Sequence, residues 1–117
     1  MNTRFTDETI ADLVDFGTND WMSMGTLSGA VRRAIGGEAS VEDIAEAIGE
    51  LAGILIDHGV LPGELGTDPS FRPWSGTRSE MVDRIVRETI DTGEYPLPGD
   101  IAWFHRPPNG GPPPDPA

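Results

Sequence analysis

Apolar residues recur three and four positions apart in four stretches of the chain, which is the period of one helix face. This pattern predicts helices at about 7–16, 20–35 and 41–58, and a fourth from Thr77 to Gly93. The third is the clearest, because its apolar stripe continues without interruption for more than three turns. Its members are Ile44, Ile48, Leu51, Leu55 and Ile56.

Residues that favour helix ends support these four assignments. Thr77 and Glu80 form a T-x-x-E capping box, and Ser40 is followed three residues later by Asp43, which is close to such a box. Candidate helix-ending glycines are Gly17, Gly36, Gly59 and Gly93. Within the second helix, Gly25 and Gly29 weaken the prediction and would permit close packing of another helix.

The remaining segments contain residues that break regular structure. Pro62, Gly63, Gly66, Pro69 and Pro73 predict an irregular connection over residues 60–76. Residues 94–104 are expected to be extended, and a short β element there would make the fold winged-helix-like. We therefore predict a mainly α, four-helix domain over residues 1–105. The Pro/Gly-rich residues 106–117 are predicted to form a disordered tail.

Composition narrows the class of protein. The 117 residues include 20 acidic and 8 basic side chains, for a net charge of -12, and no cysteine. Disulfide scaffolds and cysteine-based zinc modules are excluded. Apolar runs stay well below the roughly 18 residues that a membrane span needs. The polar first residues carry no secretory signal, so we expect a cytoplasmic protein.

The negative charge is concentrated in one third of the chain. Residues 34–71 contain eight acidic residues and no arginine or lysine. This concentration indicates either a solvated helix face or a docking surface for a basic partner. Like charges four positions apart destabilise a helix by a few tenths of a kcal/mol, and the lack of interspersed cations favours docking. The acidic residues of the third helix are Glu42, Asp43, Glu46, Glu50 and Asp57.

Motifs for catalysis or cofactor binding are not found in the sequence. His58 and His105 are its only histidines. There is no P-loop, nucleophile elbow, zincin motif or D-x-D-x-D-G calcium loop. We therefore expect no enzyme activity, no cofactor and no metal site. Trp103 and Phe104 form a short apolar patch that either packs internally or anchors a partner.

Together these features predict a non-catalytic acidic binding protein. It would mask a basic partner, such as a toxin or a nucleic-acid-binding enzyme, as an immunity protein, an antitoxin or a nucleic-acid-mimicking inhibitor does. The expected binding residues are Glu42, Asp43, Glu46, Glu50, Asp57, Trp103 and Phe104. A homodimer is a further possibility, through Gly25 and Gly29 or through the Trp103 patch.

The alternative is a helix-turn-helix-like, transcription-associated regulator or adaptor. Its fourth helix would offer Arg78, Arg84 and Arg87 to a partner or to DNA. Arg84 and Arg87 each follow an acidic residue by four positions, and phosphate binding needs an uncompensated basic stripe. We therefore do not expect direct contact with nucleic acid.

Overall fold

The computed structural model describes residues 3–65 and 71–106 of the chain. Within these residues, four helices pack with a small antiparallel sheet, which confirms the prediction of a small, mainly α domain. The predicted tail, apart from Arg106, lies outside the described residues. The elements are α1 (Asp7–Asn19), β1 (Met22–Ser23), α2 (Met24–Ile35), α3 (Val41–Asp57), β2 (Leu61–Leu65), β3 (Phe71–Pro73), α4 (Arg78–Thr92) and β4 (Trp103–His105).

Helix α3 lies at the centre of the fold, and the sequence predicts both of its ends to within one residue. At its start, the hydroxyl of Ser40 accepts a hydrogen bond of 3.1 Å from the backbone N–H of Asp43. At its end, Gly59 has a φ of +86°, and the N–H of Val60 donates to the carbonyl of Leu55 at 2.9 Å. This arrangement closes the helix with a Schellman motif. Every residue of its predicted apolar stripe is buried.

Helix α4 begins and ends as predicted and packs closely on α3. Thr77 and Glu80 make both hydrogen bonds of the capping box, and Gly93 adopts the left-handed conformation at the other end. The two helices approach at Gly49, where a Cβ atom would lie only 2.6 Å from Cγ2 of Val86. The missing side chain of this glycine therefore sets the distance between the two helices.

The sheet has the strand order β1-β4-β2-β3, with every pair antiparallel. Its strands β2 and β3 lie within the region, residues 60–76, that the sequence predicts to be irregular. Pro73 is tolerated because β3 is an edge strand, where its missing N–H is not needed. Pro62 retains a carbonyl that accepts from the N–H of Trp74 at 2.9 Å. Gly66 and Pro69 lie outside the described residues.

Two helix ends differ from the predictions because of tertiary contacts. Helix α1 continues through Gly17, which is buried where a Cβ would lie 2.7 Å from Cγ1 of Val60. Helix α2 begins at Met24 rather than at residue 20. The preceding residues Met22–Ser23 form β1 and pair with β4 instead.

The small residues of α2 contact the segment 94–100, which contains a turn at Pro98 and Gly99. A Cβ on Gly25 would lie 2.7 Å from Cγ of Pro98. The hydroxyl of Ser28 donates to the carbonyl of Pro96 at 2.6 Å, and that of Tyr95 donates to the carbonyl of Gly36 at 2.9 Å. Gly25 therefore serves an internal contact with a proline turn rather than with another helix.

Candidate partner-binding groove

A groove of about 620 Å³ runs between α3 and α4. Its floor is apolar, and carboxylates stand along its α3 side and at one end. Four of the five acidic residues predicted on this helix line it. The apolar lining comprises Ala45, Gly49, Ile54, Val82, Val86 and Ile90, and the polar lining comprises Thr3, Glu42, Glu46, Glu50, Asp57 and Arg78.

The spacing of residues on α3 places the carboxylates beside the seam between the helices. Glu42, Glu46 and Glu50 follow one another at four-residue intervals, so they lie on one face of α3. Gly49 lies on the adjacent row, where it contacts Val86 of α4. The acidic face is therefore bordered by exposed apolar surface and is not surrounded by polar groups alone.

Two arginines from outside α3 bind carboxylates that line the groove. Nε of Arg4 lies 3.0 Å from Oε1 of Glu50, and its Nη2 lies 3.6 Å from Oε1 of Glu46. At the other end, Nε and Nη2 of Arg78 lie 2.7 Å and 3.1 Å from the two carboxylate oxygens of Asp57. The local sequence shows no cation near these acids, but folding brings two cations to them.

The rim keeps accessible negative charge despite these two arginines. Glu42 is exposed and makes no ion pair among residues 3–65 and 71–106. The side chain of Glu46 is 73% exposed, although it pairs with Arg4. Asp43 does not line the groove. It lines a separate depression at the connection between α2 and α3, together with Arg4 and Glu38.

The two aromatic residues predicted to anchor a partner lie away from this groove. Phe104 is 0% exposed and belongs to the core, opposite Met22 and Pro62 in the sheet. Its ring is therefore not available at the surface. Trp103 is partly exposed and, as its neighbour along the strand, lies on the opposite face. Of the seven predicted binding residues, four acids line the groove and Asp43 lines the nearby depression. Trp103 is partly exposed elsewhere, and Phe104 belongs to the core.

The exposure of the α4 wall of the groove was not predicted from the sequence. The sequence predicts that Met81, Val82, Ile85, Val86 and Ile90 all face inward. In the structure, Met81 and Ile85 are buried, whereas Val82 and Val86 are partly exposed and Ile90 is 43% exposed. The sequence does carry a signal for this division, because the apolar residues form two rows with a spacing of four. One row faces the core and the other lines the groove.

The arginines considered for DNA binding are mostly engaged within the protein. Arg78 binds Asp57, as described above. The guanidinium of Arg84 stacks 3.7 Å from the centre of the Trp74 ring, and its Nε donates to Glu88 at 2.8 Å. Glu80, four positions before Arg84, instead accepts from the N–H of Thr77 in the capping box. These contacts hold two of the three arginines against acidic or aromatic side chains.

Neither a metal cluster nor a membrane span is found in the described part of the chain. Residues 3–65 and 71–106 contain no group of three or more histidine or acidic side chains placed to hold a metal ion. None of the helices there combines the length and the apolar character that crossing a bilayer requires. Comparisons with protein-family models, curated proteins and solved structures give no significant match.

Proposed function

We propose that this protein is a non-catalytic binding protein that masks a basic surface of a partner protein. The observation that carries the proposal is the groove, where accessible carboxylates border the exposed Ile90 and the partly exposed Val82 and Val86. A face that only keeps a protein in solution needs charge, but it does not need an apolar strip beside that charge. The arrangement of charged rim and apolar floor is typical of a protein interface.

Charge and apolar area would have different roles in such an interface. The net charge of -12 attracts a cationic partner over a distance and raises the rate of encounter. The apolar floor loses water on contact and lengthens the lifetime of the complex. Inhibition would be steric, because the bound protein covers the partner's cationic surface. An immunity protein, an antitoxin or an inhibitor of a nucleic-acid-binding enzyme would act in this way.

One observation favours the alternative of a winged-helix-like regulator or adaptor. Helices α2 and α3 are followed directly by the β2–β3 hairpin, as in a winged helix. However, β4 lies between β1 and β2, and α3 carries five carboxylates where a DNA-reading helix needs cations. If this alternative holds, Arg87→Gln should reduce retention of DNA on the immobilised protein, whereas the masking proposal predicts no retention of DNA.

The masking proposal is tested by the kinetics of binding to a purified partner. The tagged protein is used to capture basic proteins from its source organism at low salt, and the main species eluted by salt is purified. Association rates are then compared for the wild type, for Glu42→Gln/Glu46→Gln in the groove, and for Glu8→Gln/Asp12→Asn on α1. The two variants lose the same charge at different places.

We expect the groove variant to associate about tenfold more slowly, because local rim charges steer the encounter. The α1 variant should slow by less than about threefold, through the loss of net charge alone. Equal slowing in the two variants would contradict a role for the groove. Capture of DNA instead of a basic protein would contradict the masking proposal.

A further inference from the structure

The length of the groove is that of a short helix. Glu42 and Asp57, the outermost acidic residues on its α3 side, are 15 positions apart. At about 1.5 Å per residue, this separation is about 22 Å along α3. A partner helix of about four turns has the same length. The groove is therefore long enough to hold one whole amphipathic helix lengthwise.

The floor presents apolar side chains in a row that another helix can pack against. Val82, Val86 and Ile90 follow at intervals of four along α4 and are partly exposed or exposed. Ile90, at 43%, is among the most exposed large apolar side chains of the described residues. Helices that dock in grooves use apolar residues spaced by three and four, which fit between the residues of such a row.

The protein's own arginines show which cation the rim accepts. Arg78 forms a bidentate pair with Asp57, and its guanidinium packs where Gly53 has no side chain, within 2.6 Å of the position of a Cβ. Arg4, which precedes α1 in the chain, binds Glu50 through its Nε at 3.0 Å. Glu42 makes no ion pair among the residues that the structure describes, and Glu46 makes only the longer one, at 3.6 Å. The rim can therefore bind further guanidinium groups.

We infer that the groove binds a basic amphipathic α-helix of the partner, about four turns long. Its apolar stripe would pack on Val82, Val86 and Ile90, and arginines at its flanks would pair with Glu42 and Glu46. This inference rests on the masking function proposed above and names the element that is masked. A second copy of this chain is a poorer occupant, because two molecules with a charge of -12 repel each other.

The test uses two labelled peptides of identical composition, each with about eighteen residues, four leucines and six arginines. In the first, the leucines follow at intervals of three and four and form one apolar face. In the second, they are dispersed around the helix. Binding to the wild-type protein and its variants is measured by fluorescence anisotropy at about 0.02 M and about 0.2 M salt. Circular dichroism confirms that each variant is folded.

Two variants probe the groove, and two probe matched positions elsewhere. Ile90→Gln changes the floor, with Leu97→Gln as its control, because Leu97 is 59% exposed and does not line the groove. Glu42→Gln/Glu46→Gln changes the rim, with Glu8→Gln/Asp12→Asn as its control. We expect the first peptide to bind about tenfold more tightly than the second. Ile90→Gln should weaken it about fivefold and the rim variant about tenfold, with both controls within about twofold.

The outcomes separate this inference from the masking proposal. If both peptides bind equally well and only the rim variant weakens them, the helix inference is overturned and masking by charge stands. If Leu97→Gln weakens binding as much as Ile90→Gln, the groove is not the docking site. If neither peptide binds at low salt, both the inference and the masking proposal are overturned.

Discussion

At the scale of single residues, glycines on α3 determine the shape of the proposed site. A glycine inside a helix lowers its stability by up to about 1 kcal/mol relative to alanine. Gly49 and Gly53 are nevertheless buried in the middle of α3, against Val86 and Arg78 of α4. The close approach of α4 at these glycines leaves the α3 carboxylates beside the apolar row of α4. Larger residues here would separate the two walls of the groove.

We therefore predict that Gly49→Ala destabilises the protein. The new Cβ would lie 2.6 Å from Cγ2 of Val86, a β-branched side chain that cannot turn aside easily, so α4 has to move. The expected loss is about 1–3 kcal/mol in the free energy of unfolding, measured by urea denaturation.

Gly29→Ala is the matched control, because it makes the same change in α2 where space is free. Its new Cβ would lie 3.6 Å from Nη1 of Arg33, an ordinary contact with the end of a flexible side chain. We expect this variant to be more stable by about 0.5–1 kcal/mol. Equal stabilisation of the two variants would show that the α3–α4 contact does not depend on Gly49.

At the scale of elements, the sequence predicts what is encoded locally. The ends of α3 and α4 follow from caps and glycines within one turn, such as Ser40, Thr77 and Gly93, and the structure confirms them. The predicted short β element in residues 94–104 overlaps β4, whereas β1 was missed because its partner is distant: Met22 pairs with Phe104, some eighty positions away. Strands β2 and β3 pair over six to ten positions, but their prolines and glycine indicated an irregular connection. Short strands of two to five residues also leave little alternating pattern to detect.

The same distinction applies to the candidate site. The spacing of the α3 acids is local, and four of the five acids predicted on this helix line the groove, whereas Asp43 lines the separate depression. The apolar wall of α4 and the bound arginines depend on how α3 packs against distant residues, such as Arg4 and Arg78. No periodicity within one segment reports such contacts. The sequence therefore predicts the charged half of the groove but neither its apolar half nor its internal cations.

The two aromatic residues of β4 lie on opposite faces of the sheet, and substituting each one tests which of them belongs to the core. Phe104→Ala removes a fully buried ring from an inner strand, so we expect a loss of about 3–5 kcal/mol, enough to unfold a marginally stable domain. Trp103→Ala, on the opposite face, should be less destabilising because its ring is already partly exposed. Thermal unfolding of the two variants makes the comparison. A smaller loss for Phe104→Ala than for Trp103→Ala would contradict the assignment of Phe104 to the core.

At the scale of the whole molecule, the dominant feature is unbalanced charge in a small volume. Twenty acidic residues oppose eight arginines in a chain whose described part measures 39 × 31 × 24 Å. Individual ion pairs, such as Arg78 with Asp57, act over a few ångströms and survive screening. The net repulsion acts across the whole molecule and is screened first. The balance between these two effects determines how stability responds to salt.

We predict that moderate sodium chloride stabilises the free protein. Between about 0.01 M and 0.1 M, the Debye length falls from about 30 Å to about 10 Å, from most of the molecule's width to a fraction of it. Long-range repulsion is then removed while contact pairs remain, so Tm should rise by several degrees, about 4–8 °C for each kcal/mol gained. Chloride is preferred to sulfate, since sulfate also stabilises proteins by exclusion from their surface.

Variants that change the net charge test whether long-range repulsion causes the rise in Tm. Glu42→Gln/Glu46→Gln lowers the repulsion and should reduce the rise in Tm, whereas Arg78→Gln removes a cation beside Asp57 and should increase it. A Tm that falls with added salt would mean that contact pairs outweigh the net repulsion.

The prediction also bears on function, because a cationic partner relieves the same repulsion that salt screens. Binding such a partner should therefore raise Tm most at low salt, where the free protein is least stable.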